Sequence, residues 1–381
     1  MASKGLGPRN QDVANSRIAI LLPSLAPGGA ERVALALADG FRERGYQVDM
    51  VLLTKSGELL SLLRSDVEVV ELGESSIFGA FFPLIAYLRR RRPAAIQVHM
   101  WPLTSMAILA AKWARGTRAV AVEHCVLTEQ YKSPKMRLAL RRTTRMIYAL
   151  ADALVAVSKG VADDLSKISG IRREAIDVVA NPVAIRPLPP PDPDIERLWN
   201  GSRRRIITVG QLKAQKNHAF LIDAFEKVRR TVEAKLMLVG QGSLSEVLRR
   251  QVARLGLEDD VIFAGFQIDP LPYLASANVF ALSSDDEGFG LVLVEAMSAG
   301  LSIVSTDCPT GPREVLADGK FGALVQLGDV ERFAAALITA FDAVPDRKAL
   351  AERAAQLSGA HVIDRHLDIL LGPAGRAQAN K

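Results

Sequence analysis

The segment Ser284–Gly300, SDDEGFGLVLVEAMSAG, is the part of the sequence that decides the fold. It follows the strand-like run Val279–Leu282 and passes through a Gly-Phe-Gly turn into a helix that begins at Leu291. Every position from Leu291 to Met297 is apolar except Glu295, so the pattern predicts a helix buried on nearly every side. A strand, a glycine turn and a buried helix are the repeating parts of α/β domains.

The same segment has the composition of a ligand site. A buried Glu295 needs a hydrogen-bond partner, because an unpaired buried carboxylate is costly. Gly288 and Gly290 allow the backbone to approach a ligand, and the N–H groups of the first helical turn favour an anion. These features indicate a site for a phosphorylated, hydroxyl-rich molecule such as a nucleotide sugar. The alternative is a structural carboxylate with glycines that serve only the turn.

Length and composition indicate two domains. The chain has 381 residues, of which 49% are hydrophobic, enough for two well-filled cores. No run approaches the roughly 20 apolar residues of a membrane-spanning helix. Residues 1–16 lack the apolar region of a secretory signal and are expected to be disordered. Only Cys125 and Cys308 are present, so we expect no disulfide framework, and a reducing cytoplasm fits.

Positive charge is concentrated in the first half of the chain. Residues 1–190 contain 26 Lys and Arg against 17 Asp and Glu, a net charge of +9, whereas the remainder has a net charge of −3. A basic half predicts an anionic partner, which is a membrane surface, a nucleic acid or a phosphorylated substrate. Nucleic acid fits least well, because stacking aromatic residues do not alternate with the basic ones.

Apolar runs alternate with helical patterns along both halves, as expected for parallel sheets covered by helices on both faces. The predicted strands are Arg17–Pro23, Val48–Leu53, Val67–Leu72, Ala95–His99, Ala119–Glu123, Ala153–Val157, Ile176–Ala180, Ile206–Val209, Leu236–Val239, Val261–Phe263, Val279–Leu282, Ser302–Ser305 and Ala323–Val325. Between the seventh and eighth, Asn181–Arg205 contains six prolines and is interpreted as a stiff connection.

This organisation predicts an α/β protein with two Rossmann-like, doubly wound domains facing a cleft. Ligands of such sheets bind beyond the carboxyl ends of the strands. The predicted boundaries are residues 17–184 for the first domain, 185–204 for the proline-rich linker, 205–358 for the second domain and 359–381 for a C-terminal helix and tail.

Three other loops carry candidate ligand residues at predicted strand ends. Gly28 and Gly29 follow the first strand and either bring backbone amides to a bound group or form a bare turn. Lys213 and Lys216 follow the first strand of the second half, where they either neutralise a diphosphate or are solvated. His124 follows the fifth strand and is either a ligand-binding or a structural residue.

Metal-dependent and hydrolytic chemistry are disfavoured by the sequence. Asp163-Asp164 lies on a helical pattern and Asp285-Asp286 adjoins the glycine turn, so neither pair has the context of a metal site. No Ser/His/Asp arrangement or zinc-spaced His/Cys cluster occurs in the sequence. We therefore expect activity without a metal ion or other cofactor.

Two basic segments could contact an anionic surface. The first, Arg89–Arg92, ends an aromatic-rich helical pattern. The second is a helical pattern with the arginines Arg137, Arg141, Arg142 and Arg145. A basic amphipathic helix can lie on an anionic bilayer. A solvated basic face over an ordinary core face is the alternative.

Several segments together resemble glycosyltransferase family 4. They are GGAERV near the N-terminus, NPV before the linker, VGQLKAQKN, LVGQGS and EGFGLVLVEAMSAGLSIVSTDCPTGPREVL. The resemblance extends from Arg17 to about Gly328 and is most specific in the last block. Members of this family have the GT-B fold and transfer sugars from nucleotide donors, with retention of configuration and without a metal ion. The resemblance implies the same fold and activity here.

The resemblance also implies roles for residues of the glycine turn. Glu295 would hold the ribose hydroxyls of the donor. Glu287, with the amides of Gly288, Phe289 and Gly290, would contact hydroxyls of the transferred sugar.

Other residues receive implied roles from the same resemblance. Lys216 would bind the donor diphosphate, together with the amides around Leu291 and Gly29. His124 would lie beside the sugar and the reaction centre. The backbone near Gln267 would contact the nucleobase.

At Gln211 the sequence departs from the family, whose members usually have arginine there. Glutamine brings no charge, so stabilisation of the leaving group would fall to Lys216 and Lys213, or the donor would be held more weakly. No carboxylate stands out as a nucleophile in the first half. This agrees with the front-face mechanism usually proposed for the family, in which the departing phosphate oxygen helps to deprotonate the acceptor.

We therefore predict a cytoplasmic, retaining glycosyltransferase, peripheral on the inner face of the plasma membrane. It would move a hexose or N-acetylhexosamine from a UDP-linked donor to a lipid-linked or cell-surface glycan, such as a polyprenyl-diphosphate-linked acceptor of polysaccharide or lipopolysaccharide assembly. One alternative is a GDP-mannose-dependent mannosyltransferase. Another is a nucleotide-sugar-binding partner subunit without transferase activity.

Overall fold

The computed structural model describes the backbone of residues 16–379 and the side chains of residues 16–372. The chain forms two compact units, Met1–Pro182 with Ala360–Lys381, and Val183–Gly359. Apart from Ser16, the N-terminal segment expected to be disordered lies outside the described residues.

The first unit contains a parallel sheet of seven strands in the order β3-β2-β1-β4-β5-β6-β7. Its strands are β1 (Arg17–Leu22), β2 (Gln47–Leu52), β3 (Glu68–Glu71), β4 (Ala95–His99), β5 (Arg118–Glu123), β6 (Ala153–Ala156) and β7 (Ile176–Val178). The helices are α1 (Gly29–Glu43), α2 (Phe81–Arg91), α3 (Leu103–Ala114), α4 (Leu127–Gln130), α5 (Pro134–Ile147), α6 (Lys159–Ser169) and the C-terminal α15 (Ala360–Ala379).

The two faces of this sheet are covered by different helices. Ile96 and Val98 of β4 belong to the core formed with α2 and α3. Gln97, between them, points to the other face, where its side chain meets His366 of α15. Because side chains alternate along a strand, each strand contributes to both cores.

The second unit contains a parallel sheet of six strands in the order β10-β9-β8-β11-β12-β13. The strands are β8 (Arg205–Val209), β9 (Lys235–Val239), β10 (Val261–Gly265), β11 (Val279–Leu282), β12 (Ser302–Thr306) and β13 (Ala323–Val325). The helices are α7 (Pro193–Leu198), α8 (His218–Thr231), α9 (Ser245–Arg254), α10 (Leu271–Ala275), α11 (Leu291–Ser298), α12 (Pro312–Val315), α13 (Val330–Asp342) and α14 (Arg347–Ser358).

The prediction of two doubly wound α/β domains is confirmed, and each predicted strand is present within two residues at either end. The physical reason is that strands buried on both faces form continuous apolar runs, which stand out between amphipathic helices.

The predicted linker is only partly a linker. Its second half contains α7, which is followed by Trp199. This side chain is fully buried, and its Nε1 donates a hydrogen bond to Oγ of Ser276 at 2.8 Å. Prolines at the start of a helix are compatible with helical geometry, so proline content did not exclude a helix here.

The C-terminal segment, predicted as a helix and tail separate from both domains, belongs to the first unit. Helix α15 packs against α1, β4 and β5 and buries His366 and Leu370. It therefore completes the core on one face of the first sheet.

Candidate functional site

In the second unit two loops join at the carboxyl ends of the adjacent strands β8 and β11. We call residues 210–217 the lysine loop and residues 283–290 the glycine loop. Their backbones are linked by a hydrogen bond from N of Asp285 to O of Gln215 at 2.9 Å. Side chains add further links: Gln215 Nε2 to Asp286 Oδ1 at 2.9 Å, Asn217 Nδ2 to Asp285 Oδ1 at 2.8 Å, and Ser283 Oγ to Lys216 O at 2.8 Å.

An ion pair lies at the centre of these two loops. Lys216 Nζ donates to Oε1 of Glu287 at 2.5 Å, and the two side chains are 19% and 8% exposed. Ser284 Oγ donates to the same carboxylate oxygen at 2.7 Å. The hydroxyl of Thr310 donates to the Glu287 carbonyl oxygen. The cation and the carboxylate predicted from sequence are therefore brought together.

Two glycines, one at the end of the glycine loop and one packed against it, have backbone conformations that other residues adopt only with strain. Gly290 precedes α11 with φ 89°, in the left-handed region. Gly311 has φ 87°, and a Cβ there would lie 2.9 Å from the carbonyl oxygen of Phe289. Helix α11 follows directly. The N–H of Leu293 donates to the Gly290 carbonyl oxygen at 2.9 Å, whereas the N–H groups of Leu291 and Val292 have no acceptor within the helix. These two amides and Lys216 suit an anion.

Glu295 differs from the prediction of burial. It is partly exposed, whereas its neighbours Val294 and Ala296 are fully buried. The buried carboxylate of this region is that of Glu287, whose side chain is 8% exposed. The sequence shows which positions of a short helix are apolar, but it does not show which side of the helix is left exposed to solvent. Glu295 lies on such a side.

The other predicted donor residues occupy separate positions in the second unit. Gln211 is exposed and Lys213 partly exposed, both on the lysine loop, and Leu291 is the first residue of α11. Gln267 follows β10, and its Nε2 donates to O of Ala264 at 2.8 Å.

In the first unit the predicted glycine pair begins α1. Gly29 is the first residue of that helix, and Gly28 precedes it with extended backbone. The carboxylate of Glu31 lies over Gly28, since a Cβ on Gly28 would be 2.1 Å from Oε2 of Glu31. An acidic side chain of the first turn therefore lies beside these amides.

His124 is paired with a second histidine that sequence reasoning missed. His99 ends β4, and its Nδ1 lies 2.7 Å from Nε2 of His124, which follows the neighbouring strand β5. His99 is fully buried and His124 partly buried. Burial lowers the pKa of His124 to about 3, with a smaller effect of His366, and it also lowers the pKa of His99. The available signal was that one predicted strand ends in His99 and the next strand along the chain is followed directly by His124.

Glu123, directly before His124, points to the opposite face and was also missed. Its carboxylate is fully buried and accepts hydrogen bonds from Thr104 Oγ1 at 3.1 Å, the Trp101 N–H at 3.3 Å and the Tyr148 hydroxyl. Burial raises the pKa of Glu123 to about 7, against the opposing effect of these hydrogen bonds. The network ties the start of α3 and the end of α5 to the sheet.

The predicted surface arginines are exposed as expected. They are Arg137, Arg141, Arg142 and Arg145 of α5. Leu140 of the same helix is buried, but Leu138 and Met146 are exposed. The helix therefore presents apolar side chains as well as charges to its surroundings.

Residues 16–379 contain neither a cluster of metal-binding side chains nor a helix suited to cross a membrane. No three His, Cys, Asp or Glu side chains described there are grouped closely enough to hold a metal ion. In the same part of the chain, no helix combines the length and apolar character needed to cross a membrane.

Known proteins resemble this chain over both units. The profile of glycosyltransferase family 4 matches residues 27–186, and that of group 1 glycosyl transferases matches residues 194–357. The N-acetylgalactosamine-N,N'-diacetylbacillosaminyl-diphospho-undecaprenol 4-alpha-N-acetylgalactosaminyltransferase of Campylobacter jejuni is 27% identical over 354 residues, which are 89% of this chain and 93% of that protein.

Two further comparisons cover similar spans. The lipopolysaccharide core biosynthesis glycosyltransferase LpsE of Rhizobium meliloti is 29% identical over 359 residues, 90% of this chain and 96% of its own. The crystal structure of Anabaena HepE in complex with UDP-glucose has a TM-score of 0.80 at 22% identity, covering 93% of this chain and 98% of that one. With two parallel-sheet α/β domains and these matches, the chain belongs to the GT-B glycosyltransferases, with a family 4 domain followed by a group 1 domain.

Proposed function

We propose that this enzyme transfers a hexose or N-acetylhexosamine from a UDP-sugar to a lipid-linked or lipopolysaccharide-type glycan, with retention of configuration and without a metal ion. The observation that carries the proposal is the Lys216–Glu287 pair, which joins the lysine and glycine loops. A nucleotide sugar needs positive charge at its diphosphate and hydrogen-bond acceptors at its hydroxyls, and this pair supplies one of each.

The comparisons support the donor and acceptor classes. HepE binds UDP-glucose and has this fold. The Campylobacter relative is named for an acceptor on diphospho-undecaprenol and for an alpha linkage, and LpsE for lipopolysaccharide core biosynthesis. A glycan acceptor attached to a lipid, and an alpha-glycosidic product, are therefore the most specific assignments that we propose.

The residues divide the work according to charge. Lys216 and the amides at the start of α11 would stabilise the diphosphate as negative charge develops on the leaving oxygen. Glu287 and Glu295 would accept hydrogen bonds from donor hydroxyls, and His124 would contact the transferred sugar. In this scheme the departing phosphate oxygen takes the proton of the acceptor hydroxyl, so no separate protein base is required.

The donor is tested by thermal shift with UDP-, GDP-, ADP- and dTDP-sugars. A ligand at one hundred times its Kd should stabilise the folded protein by about 2.7 kcal/mol. We expect a shift with a UDP-sugar. A shift with GDP-mannose alone would support the mannosyltransferase alternative instead, and no shift with any donor would refute the donor site.

The reaction is tested with the stabilising donor and a synthetic polyprenyl-diphosphate-linked saccharide. We expect an alpha-linked product by NMR and unchanged turnover in EDTA. A beta-linked product would overturn retention, and loss of turnover in EDTA that Mg²⁺ restores would overturn metal independence.

We also propose that the enzyme works at an anionic membrane surface through α2, α3 and α5. Helix α2 packs on α3, and α3 on α5. These helices contain three, one and five basic residues respectively, and no acidic residue. Exposed apolar side chains accompany them: Phe78 before α2 and Phe82 on it, Trp113 on α3, Met146 on α5 and Leu150 just after it. Basic charge with exposed aromatic and aliphatic groups suits the headgroup region of a bilayer.

Vesicle flotation tests this surface. We expect binding to vesicles with phosphatidylglycerol, weakening with salt, and little binding to pure phosphatidylcholine. Arg141→Glu with Arg145→Glu should abolish it. The matched control reverses two exposed basic residues of the second unit, Arg250→Glu with Lys348→Glu, and should bind normally. Equal binding by both double variants would refute the assignment.

A further inference from the structure

A buried polar cluster lies behind His124 on one face of the first sheet. Gln97 and His99 point to this face from alternate positions of β4. The Gln97 amide Nε2 lies 3.3 Å from Nδ1 of His366 on α15. Gln97, His99 and His366 are at most 2% exposed. These three buried polar residues have no role in the reaction proposed above.

His124 is the member of this cluster that reaches the surface of the unit. His124 is a partly exposed residue at the carboxyl end of β5, where ligands of parallel sheets bind. Its Nε2 lies 2.7 Å from Nδ1 of His99. The nitrogen left for a ligand is therefore Nδ1 of His124.

The two rings are neutral at physiological pH. Burial lowers the pKa of His124 to about 3 and that of His99 well below its ordinary value, and a second positive charge at 2.7 Å would be unfavourable. In a neutral pair one ring nitrogen donates and the other accepts, so the hydrogen bond between them sets both tautomers.

The buried nitrogen of His99 indicates which ring donates. Nε2 of His99 is buried and has no hydrogen-bond partner within the described part of the chain. If His124 donated, His99 would carry its proton on this Nε2, as a buried N–H group without an acceptor. Orphaned buried donors are rarer in proteins than under-used acceptors. We therefore favour the arrangement in which His99 Nδ1–H donates to Nε2 of His124, because it leaves no buried N–H donor without an acceptor.

We infer that His99 is the positioning residue of His124: it holds His124 in the tautomer with the proton on Nδ1, so that the site presents an N–H donor to an oxygen of the transferred sugar. This inference rests on the proposed function, in which His124 contacts the sugar. It assigns His124 a hydrogen-bonding role and not that of a base, and it predicts that the recognised group of the sugar is a hydrogen-bond acceptor.

The first test reads the tautomer directly in the ligand-free protein. The enzyme is labelled with ¹⁵N-histidine, and the His124 signals are assigned by their loss in His124→Gln. We expect the Nδ1-protonated tautomer of His124 at pH 7. An Nε2-protonated His124 in the wild type would overturn the inference. Because no donor is present, this result is independent of whether a UDP-sugar is the substrate.

The second test separates positioning from general stability by kinetics. His99→Leu should lower kcat/KM for the donor by about tenfold, the loss expected for one hydrogen bond, while the affinity for UDP alone is unchanged. His99→Asn, whose amide can donate from nearly the position of Nδ1, should restore most of this loss. His366→Leu removes an equally buried histidine that has no hydrogen bond to His124 and is the control.

Two kinetic outcomes would contradict the inference. One is a His366→Leu variant as impaired as His99→Leu, and the other is a His99→Asn variant no better than His99→Leu. If UDP-sugars neither bind nor react with the wild type, the proposed function fails, whereas the tautomer measurement still decides the role of His99.

Discussion

The carboxyl ends of the two sheets are built from opposite kinds of polar groups. The first ends in His99 and His124, a neutral pair whose pKa values are lowered by burial. The second ends in Lys216 and Glu287, a partly buried ion pair. The ion pair keeps its charged groups, so the second end suits a diphosphate. Burial keeps the histidine pair neutral, so the first end suits uncharged hydroxyl groups. The comparison teaches that the two units, although both are parallel-sheet domains, present different polar groups at the ends of their strands.

The largest expected effect tests where the charge is needed. Lys216→Ala should lower kcat/KM by about 10²- to 10³-fold, the usual cost of removing one group that stabilises a developing oxyanion. Lys348→Ala, at an exposed lysine of α14, is the control and should leave the rate unchanged. Steady-state kinetics with the preferred UDP-sugar measure both. Near-normal turnover in Lys216→Ala would mean that charge at the second sheet end is not used in catalysis.

The next effect concerns pH and the first sheet end. The pKa of Glu123 is raised by burial from 4.5 to about 7, so its contribution to stability is complete below pH 4.5 and is lost as pH rises through 7. This difference corresponds to about 3 kcal/mol of unfolding free energy. Glu123→Gln cannot ionise, so its stability should decline less between pH 5 and 8 than that of the wild type in urea unfolding.

The buried His366 of the same unit should make stability depend on pH in the opposite direction. Burial lowers the pKa of His366 from 6.5 to about 4, so its contribution is complete above pH 6.5 and is lost as pH falls through 4. His366→Leu should therefore lose less stability than the wild type on acidification. The three proteins should therefore differ in how their free energy of unfolding depends on pH. The same pH dependence in His366→Leu, Glu123→Gln and the wild type would contradict the shifted pKa values of both buried groups.

A smaller effect is expected at Glu287. Glu287→Gln keeps an oxygen for Ser284 and Lys216 but removes the negative charge, so kcat should fall by about 10- to 50-fold, as for one charged hydrogen bond to a sugar hydroxyl. UDP alone, which lacks the transferred sugar, should bind at least as well, since Lys216 is no longer paired with a carboxylate. Calorimetry with UDP and with the UDP-sugar separates these effects. Equal weakening of both ligands would assign Glu287 to the nucleotide.

The smallest expected effect concerns the membrane surface of the first unit. Trp113 is 62% exposed beside basic residues, and Trp113→Ala should weaken binding to phosphatidylglycerol vesicles by about five- to tenfold, or about 1 kcal/mol of apolar contact. Turnover of a water-soluble acceptor analogue should be unchanged. A variant that loses soluble turnover as well would indicate a structural role for Trp113.

Much of the fold and part of the site could be predicted from local sequence. The strands were recognisable because each is a continuous apolar run. Lys216, Glu287 and the glycine loop were recognisable because they lie in the loops that follow such runs. Glu295 was misjudged because periodicity does not show which side of a short helix is open. Trp199 was hidden in a proline-rich segment whose burial depends on contacts with Ser276, 77 residues later in the chain.

The sequence by itself determined two parallel-sheet domains, the glycosyltransferase family and the loops of the candidate site, because these depend on runs of neighbouring residues. Only the tertiary structure decided which distant groups meet. It placed His99 against His124, joined Lys216 to Glu287, and returned α15 to the first unit so that His366 lies behind the histidine pair. Hydrogen bonds and ion pairs act over a few ångströms, so these partners are defined by strand order and not by distance along the chain.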